Sequence, residues 1–201
     1  YNHLELREEL EKENGKINWN GSSDTETLIQ ATETWGLPKT LSKSCGMFAL
    51  ALWDKKNNRL MLARDRVGEK PLYFGRIKGA LVFTSELKAL KPLGSDLEIS
   101  HKGFAKYLEY GYVPEGLSIF SNLFKISPGA IMTFSSNIDA GTQEQYWSLV
   151  DHVKEGRLTE INRKNRDNLD DHAARVQVKL SEVVHSQMLS DVPIGSFLSG
   201  G

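Results

Sequence analysis

Cysteine is almost absent from this chain of 201 residues, where Cys45 stands alone. A single thiol excludes a disulfide within the chain and fits a reducing compartment, so a cytoplasmic setting is expected. Metal-ligand pairs are missing too. His3, His101, His152, His172 and His185 fall at no ligand spacing, and no metal site is expected. No apolar run approaches the ~18 to 20 residues of a membrane span. The stretch Tyr1 to Glu13 is acidic and polar, where a secretory signal would be basic and then apolar. Neither charge sign dominates. Twenty-five basic residues against 26 acidic ones leave a formal charge of −1, and the basic residues are scattered, which speaks against nucleic acid and anionic membranes as partners.

What is present is an ordinary globular composition, 39% hydrophobic and 25% charged, enough to bury a core. Leu4, Leu6 and Leu10 among Glu5, Arg7, Glu8, Glu9, Glu11 and Lys12 predict an amphipathic helix ending near Asn14-Gly15. A second helix follows Gly21-Ser22-Ser23. Ser23 and Glu26 have capping-box spacing, Leu28, Ile29, Ala31, Thr32 and Trp35 form its apolar stripe, and Gly36 ends it. The period then changes. Met47 to Trp53 is a continuous apolar run of strand length, Asp54 to Asn58 a polar hairpin loop, and Arg59 to Arg64 the returning strand, with both faces of this sheet covered.

Pro71–Gly75 and Ala80–Thr84 make a further strand pair around Lys78-Gly79, and a short helix runs from Ser85-Glu86 through Leu90. A helix over Lys102–Tyr110, a strand over Ala130–Phe134 and a polar loop over Asp139–Glu144 come next. Residues 151 to 172 carry few apolar positions and read as a surface connector. The last helix, Ala173 to Leu189, places Val176, Leu180, Val183, Val184 and Met188 at helical spacing. Val192, Ile194, Phe197 and Leu198 then read as a short buried strand running into Ser199-Gly200-Gly201. Taken alone, that ending is either a flexible tail or the start of a phosphate-binding loop, whose glycines bring backbone N–H groups close to phosphate oxygens. The densest polar constellation, Arg64-Asp65-Arg66-Val67-Gly68-Glu69-Lys70, reads from its residues as a turn whose charges pair with one another. Trp19, Trp35, Trp53 and Trp147 read as core or interface aromatics.

Several motifs in sequence carry a resemblance: Ser23-Asp24-Thr25-Glu26, the run Gly46 to Asp54, Arg64 to Phe74, Thr84-Ser85-Glu86, Gly111-Tyr112-Val113-Pro114, Ser127-Pro128-Gly129, Tyr146-Trp147 and Asp191 to Gly201. In order and spacing they resemble the glutamine-hydrolysing asparagine synthetase family. The resemblance implies an α+β chain. Its first part is a four-layer αββα sandwich of the N-terminal-nucleophile hydrolase type, here incomplete, spanning residues 1–147 as a class II glutamine amidotransferase domain. A helical connector follows over 148–172, and residues 173–201 open an ATP-pyrophosphatase-like domain with its first strand.

By the same resemblance, glutamine is hydrolysed to ammonia in the first domain, and the second uses ATP with Mg2+ to convert aspartate to an aspartyl-adenylate that ammonia displaces. A homodimer is an assembly it allows. Asp24 is the expected ligand of the glutamine α-ammonium, a role that suits a carboxylate, since ammonium offers three donors and a full charge. A capping role for the Ser23 turn is compatible with it. Leu198, Ser199, Gly200 and Gly201 are expected at the ATP phosphates and the nucleotide pocket. Tyr1-Asn2-His3 resembles the tail of the family's Asn-Gly-Glu-Ile-Tyr-Asn-His motif, whose Asn and Gly help form the oxyanion hole, and the nucleophilic cysteine is expected further upstream. Cys45 is read as a small structural residue at a strand start. The chain is therefore expected to be an inactive fragment of a ligase. A relative that amidates another carboxylate, or a non-catalytic binding module on the same fold, are the alternatives.

Overall fold

A computed structural model describes residues 2–93, 97–135, 141–162, 169–188, 190 and 192–197. Two antiparallel sheets lie face to face. The first has the order β1-β2-β6-β7, with β1 Ala49–Asp54, β2 Arg59–Arg64, β6 Ala130–Ser135 and β7 Thr142–Gln145. The second has the order β4-β3-β5, with β3 Tyr73–Ile77, β4 Ala80–Thr84 and β5 Leu123–Lys125.

Strand alternation explains the unbroken apolar runs. Leu60 and Leu62 of β2, with Ala130, Met132 and Phe134 of β6, point between the sheets and meet Leu72, Phe74, Leu81 and Ile126. The intervening Met61, Ala63 and Ile131 point the other way, onto Leu37, Leu41 and Phe48. Both sets leave water, so neither face can carry polar residues. The outer face of the second sheet, through Ile77, Val82 and Leu123, packs on Leu87 and Leu90 of a 3-10 helix over Leu87–Leu93. Helices, sheet, sheet and helix are the layers the resemblance implies.

The helical layer comprises α1 His3–Asn14, α2 Asp24–Trp35 and α3 Leu37–Lys43. Arg7 meets Thr27, and the Trp35 indole N–H donates to Glu13, so α1 and α2 run side by side in the same direction. Their N-termini therefore share one end of the layer. The remaining helices are α4 His101–Tyr110, capped by the Ser100 hydroxyl and closed by Gly111, then α5 Leu149–Asn162 and α6 Leu169–Ser186.

Several expectations change. The apolar stripe of α2 is not the predicted one: Thr27 and Ala31 are buried while Ile29 is 49% exposed, because the neighbouring α1 lies over the face that carries Thr27. An additional helix, α3, starts directly after Gly36, with Pro38 in its first turn, where a missing N–H costs nothing. Strand β1 starts at Ala49, two residues after the expected Met47, and is covered on one side only. It is an edge strand, and its Trp53 is 52% exposed. Of the stretch expected as a loop over Asp139–Glu144, Thr142 to Glu144 instead belong to β7, paired with β6 from Ala130↔Gln145 to Thr133↔Thr142, while Asp139 and Ala140 lie outside the described residues. Residues 149–162 of the connector are helical.

The buried terminal strand is not formed in its described part. Residues 192–197 lie outside any strand, with Val192 68%, Ile194 53% and Phe197 fully exposed. A strand's backbone groups need a paired neighbour, and the described residues supply none there. Leu198, Ser199, Gly200 and Gly201 lie outside the described residues. The predicted stripe of α6 is present at helical spacing, but Val176, Leu180, Val183 and Val184 are all exposed. Among the described residues no helix is long and apolar enough to cross a membrane.

The β1–β2 hairpin turns through Lys55–Asn58 with Asp54 opposite Arg59. The Asp54 carboxylate accepts from the Asn57 backbone N–H (3.1 Å), the Asn57 side-chain amide (2.8 Å) and Arg59 Nε (2.9 Å). These donors, the Asn57 amide foremost, hold its carboxyl at about 2. A folded value below the unfolded one means that the contribution is complete above about pH 4 and disappears as pH falls through about 2. The expected outcome is that Asp54→Asn lowers the urea midpoint at pH 6, and that the gap between variant and parent narrows steadily toward pH 2.

Candidate functional site

Ser23 adopts extended backbone ahead of α2, and its hydroxyl accepts from the Thr25 N–H (3.2 Å). Glu26 does not complete the expected box with Ser23. The preceding loop doubles back over the first turn, and its own N–H groups claim the Glu26 carboxylate: Asn20 N–H at 2.8 Å, Asn20 Nδ2 at 3.0 Å and Gly21 N–H at 3.0 Å. These bonds, the Asn20 backbone first, keep Glu26 below the usual carboxylate range.

Asp24 is the first residue of the helix, where the free N–H groups and the helix dipole favour a negative charge. It is half-buried. Among the described residues its carboxylate takes only a long hydrogen bond from the Thr25 hydroxyl (3.4 Å) and forms no ion pair. It keeps acceptor capacity for an incoming cation. At the same end of the helical layer, Asn2 precedes α1 and ties it to the end of α3. Its Nδ2 donates to Lys43 O (3.1 Å), its Oδ1 accepts from Cys45 N–H (2.8 Å) and its backbone N–H donates to Cys45 O (3.3 Å). His3 is beside it, with Nδ1 buried and, among the described residues, without a hydrogen-bond partner.

The structure thus gathers Asn2, His3 and Asp24 at one end of two parallel helices. The sequence alone does not reveal the residue that fixes this relation, Arg7. Its Nε donates to Thr27 Oγ1 (2.7 Å), Nη1 to Gly21 O (2.8 Å) and Nη2 to Ser23 O (3.0 Å), and its guanidinium lies 4.2 Å from the centre of the Trp19 ring. The one sequence signal for it is its place between Leu6 and Leu10, the two buried residues of α1.

Cys45 is exposed and sits four residues ahead of β1, so it is a loop residue rather than a small residue at a strand start. Arg66 Nη1 lies 4.0 Å from its sulfur, and Nη2 donates to Ser42 O (2.6 Å). Trp19 and Trp35 are half-buried, and each indole N–H is held by a glutamate, Glu11 at 3.0 Å and Glu13 at 2.6 Å.

The charged segment that ends β2 buries Arg64 and Asp65, and their side chains bond to main-chain atoms rather than to the other charged side chains. Arg64, 7% exposed, donates from Nε to Lys70 O (2.8 Å), from Nη1 to Ile126 O (2.8 Å) and from Nη2 to Gly68 O. Asp65, 1% exposed, accepts from the Glu69 N–H and the Lys70 N–H, both at 2.9 Å. Arg64 and Asp65 are both satisfied by backbone, because the turn leaves carbonyls on one side and N–H groups on the other. Tyr146 closes over this segment, its hydroxyl donating to Arg64 O (2.8 Å), and burial followed by the Asp65 charge pushes the phenol far above its ordinary range. The segment is a structural knot between the sheets. Among the described residues no cluster of three or more His, Cys, Asp or Glu could hold a metal ion.

Residues 1–147 match the model of the glutamine amidotransferase domain family. The whole chain is 35% identical over 201 residues to asparagine synthetase [glutamine-hydrolyzing] 1 of Bacillus subtilis (strain 168), covering 29% of that protein. It is 32% identical over 205 residues to asparagine synthetase [glutamine-hydrolyzing] 3 of the same organism, again over its full length and covering 30% of the relative. The chain therefore spans less than a third of these relatives. Among solved structures, glutamine phosphoribosylpyrophosphate amidotransferase from B. subtilis, complexed with ADP and GMP, aligns with a TM-score of 0.51 at 19% identity over 74% of this chain and 27% of its own. That likeness extends to the fold, the paired sheets between helical layers. With a family match that covers the helical layer and both sheets, this chain belongs to the glutamine amidotransferase domain family.

Proposed function

We propose that this chain is part of a longer glutamine-dependent ligase that forms asparagine, and that it supplies the glutamine-binding half of the ammonia-releasing site. The observation that carries the reading is the Asp24 carboxylate, half-buried at the start of α2 and free of any ion pair among the described residues. Its one hydrogen-bond partner among them is a hydroxyl at 3.4 Å. A carboxylate with this much unused capacity suits the α-ammonium of an amino acid. The family match and the names of the relatives supply the choice of glutamine.

In this reading Asp24 orients glutamine by its ammonium, and the side-chain amide lies toward the end where Asn2 and His3 begin α1. Hydrolysis breaks the amide C–N bond, water supplies the hydroxyl of the new carboxylate and a proton, and ammonia leaves. Aspartate and ATP with Mg2+ are substrates of the amidating half, to which Leu198, Ser199, Gly200 and Gly201 belong by resemblance. A cytoplasmic setting is part of the same reading, supported by the lone Cys45.

The test uses the full-length enzyme. Asp24→Asn keeps the shape and removes the charge, and should lower kcat/KM for glutamine about 30-fold, ~2 kcal/mol, mainly through KM. Synthesis driven by added ammonium salt should stay unchanged. Glutamine kinetics identical to the parent would sink the assignment of Asp24, and a protein with no glutamine-dependent product would sink the ligase reading as a whole.

A further inference from the structure

The three bonds of Arg7 bracket Asp24 on both sides. Ahead of Asp24, the guanidinium holds Gly21 O and Ser23 O, and behind it, the Thr27 hydroxyl. The Glu26 carboxylate, which binds the same loop, stands 3.7 Å away. The stack on Trp19 fixes the plane of the group, and the fork geometry of arginine then dictates where all three acceptors sit, which a lysine's single ammonium cannot do. Arg7 itself is one turn into α1, the helix that starts with Asn2 and His3, and Thr27 is one turn into α2, the helix that starts with Asp24. The side chain is 14% exposed, and Thr27 is fully buried. One rigid rung therefore ties the two helix starts together at a fixed separation.

Resting on the reading that Asp24 receives the α-ammonium of glutamine, we infer that Arg7 is the positioning residue that sets the distance between the ammonium-binding end and the amide-reacting end of the site. It touches no substrate. It acts by holding the Gly21–Thr27 segment, and with it Asp24, against α1. Its loss leaves Asp24 charged and present but displaced, so the damage falls on recognition of the ammonium and spares the chemistry at the amide. This signature differs from that of general destabilisation, which lowers the amount of active enzyme and moves all substrates alike.

The full-length enzyme is assayed for ammonia release from glutamine and from glutaramate, which is glutamine without its α-amino group. Asp24→Asn is the benchmark. Arg7→Met should raise KM for glutamine about tenfold with kcat within about twofold of the parent, and should leave KM for glutaramate where it was, so that the preference for glutamine narrows about tenfold. Arg7→Lys keeps the charge and the stack but not the fork. It should show the same pattern at about half the fold-change, and it serves if the methionine variant fails to fold. Equal effects on both substrates in the variant that folds, or no effect on the glutamine KM while Asp24→Asn raises it, would overturn the role of Arg7. An Asp24→Asn enzyme with unchanged glutamine KM would remove the ammonium site itself, and the inference with it.

Discussion

Arg64→Met should cost about 3–5 kcal/mol of stability, the largest loss expected from any single side chain in this domain. The guanidinium is 7% exposed and spends its donors on three carbonyls, those of Gly68, Lys70 and Ile126. A methionine of similar volume fills the space but leaves all three carbonyls without this donor, and at Ile126 O, where the bond is buried, an acceptor without a donor forfeits its hydration with no return. The loss is not confined to one turn. Arg64 ends β2 in the first sheet, and Ile126 follows β5 in the second, so the side chain joins the two layers. Asp65, the next residue in the chain, depends on the same turn for its two N–H donors and would lose them as the turn relaxes. Urea denaturation is the measurement. Arg64→Lys, with one donor group in place of the fork, should fall between the two, whereas Lys88→Met, which removes an ion pair whose side chains are 78% and 62% exposed, should shift the midpoint little. A midpoint for Arg64→Met within experimental error of the Lys88→Met value would contradict this account.

Gly129→Ala is expected to cost about 3 kcal/mol or more, for two separable reasons. The residue has φ +64, where a Cβ brings ~1–2 kcal/mol of strain. That Cβ would also stand 2.4 Å from Trp147 O, a backbone atom that cannot rotate away. The neighbouring bonds make retreat costly: Gly129 N–H donates to Asp65 O (2.8 Å), and Gly129 O accepts from Tyr146 N–H (2.9 Å) and Trp147 N–H (3.2 Å). Any shift opens the knot and the first rung between β6 and β7. Gly116, with φ +71 and nothing within 4 Å of where a methyl would stand, isolates the first reason, and Gly116→Ala should cost only about 1 kcal/mol. Comparable midpoints for the two variants would show that the approach of Trp147 O carries no weight.

Local signals make much of the fold legible. Periodicity and caps locate α1, α2 and α4, unbroken apolar runs locate β2 and β6, and the Lys78-Gly79 pair, both at positive φ, marks the turn between β3 and β4. What escapes is held by partners rather than by pattern. Strand β7 is Thr-Gln-Glu-Gln, exposed throughout, and exists because β6 offers it an edge. Strand β5 is three residues long, too short to show a period. The charged segment 64–70 reads as paired with itself, yet its partners are main-chain atoms, which no side-chain pattern displays. The same holds for the site. Asp24 stands out through its motif, while Arg7, surrounded by other charges in α1, is distinguished only by two carbonyls and a hydroxyl that the fold delivers to it.

The strand order β1-β2-β6-β7 has a consequence for the chronology of folding. Strand β2 meets β6 in a register that joins Arg59 to Ser135 and Ala63 to Ile131, so the centre of the first sheet closes a long loop that contains the whole of the second. During synthesis the β1–β2 hairpin and the β3–β4 hairpin leave the ribosome each with its own two strands in hand. The edge of β2 that pairs with β6 waits without its partner until β6 follows some seventy residues later, on the order of 4–14 seconds at about 5–20 residues per second. Over that interval the nascent chain presents Leu60 and Leu62 to its surroundings, and the second sheet is the cover nearest at hand.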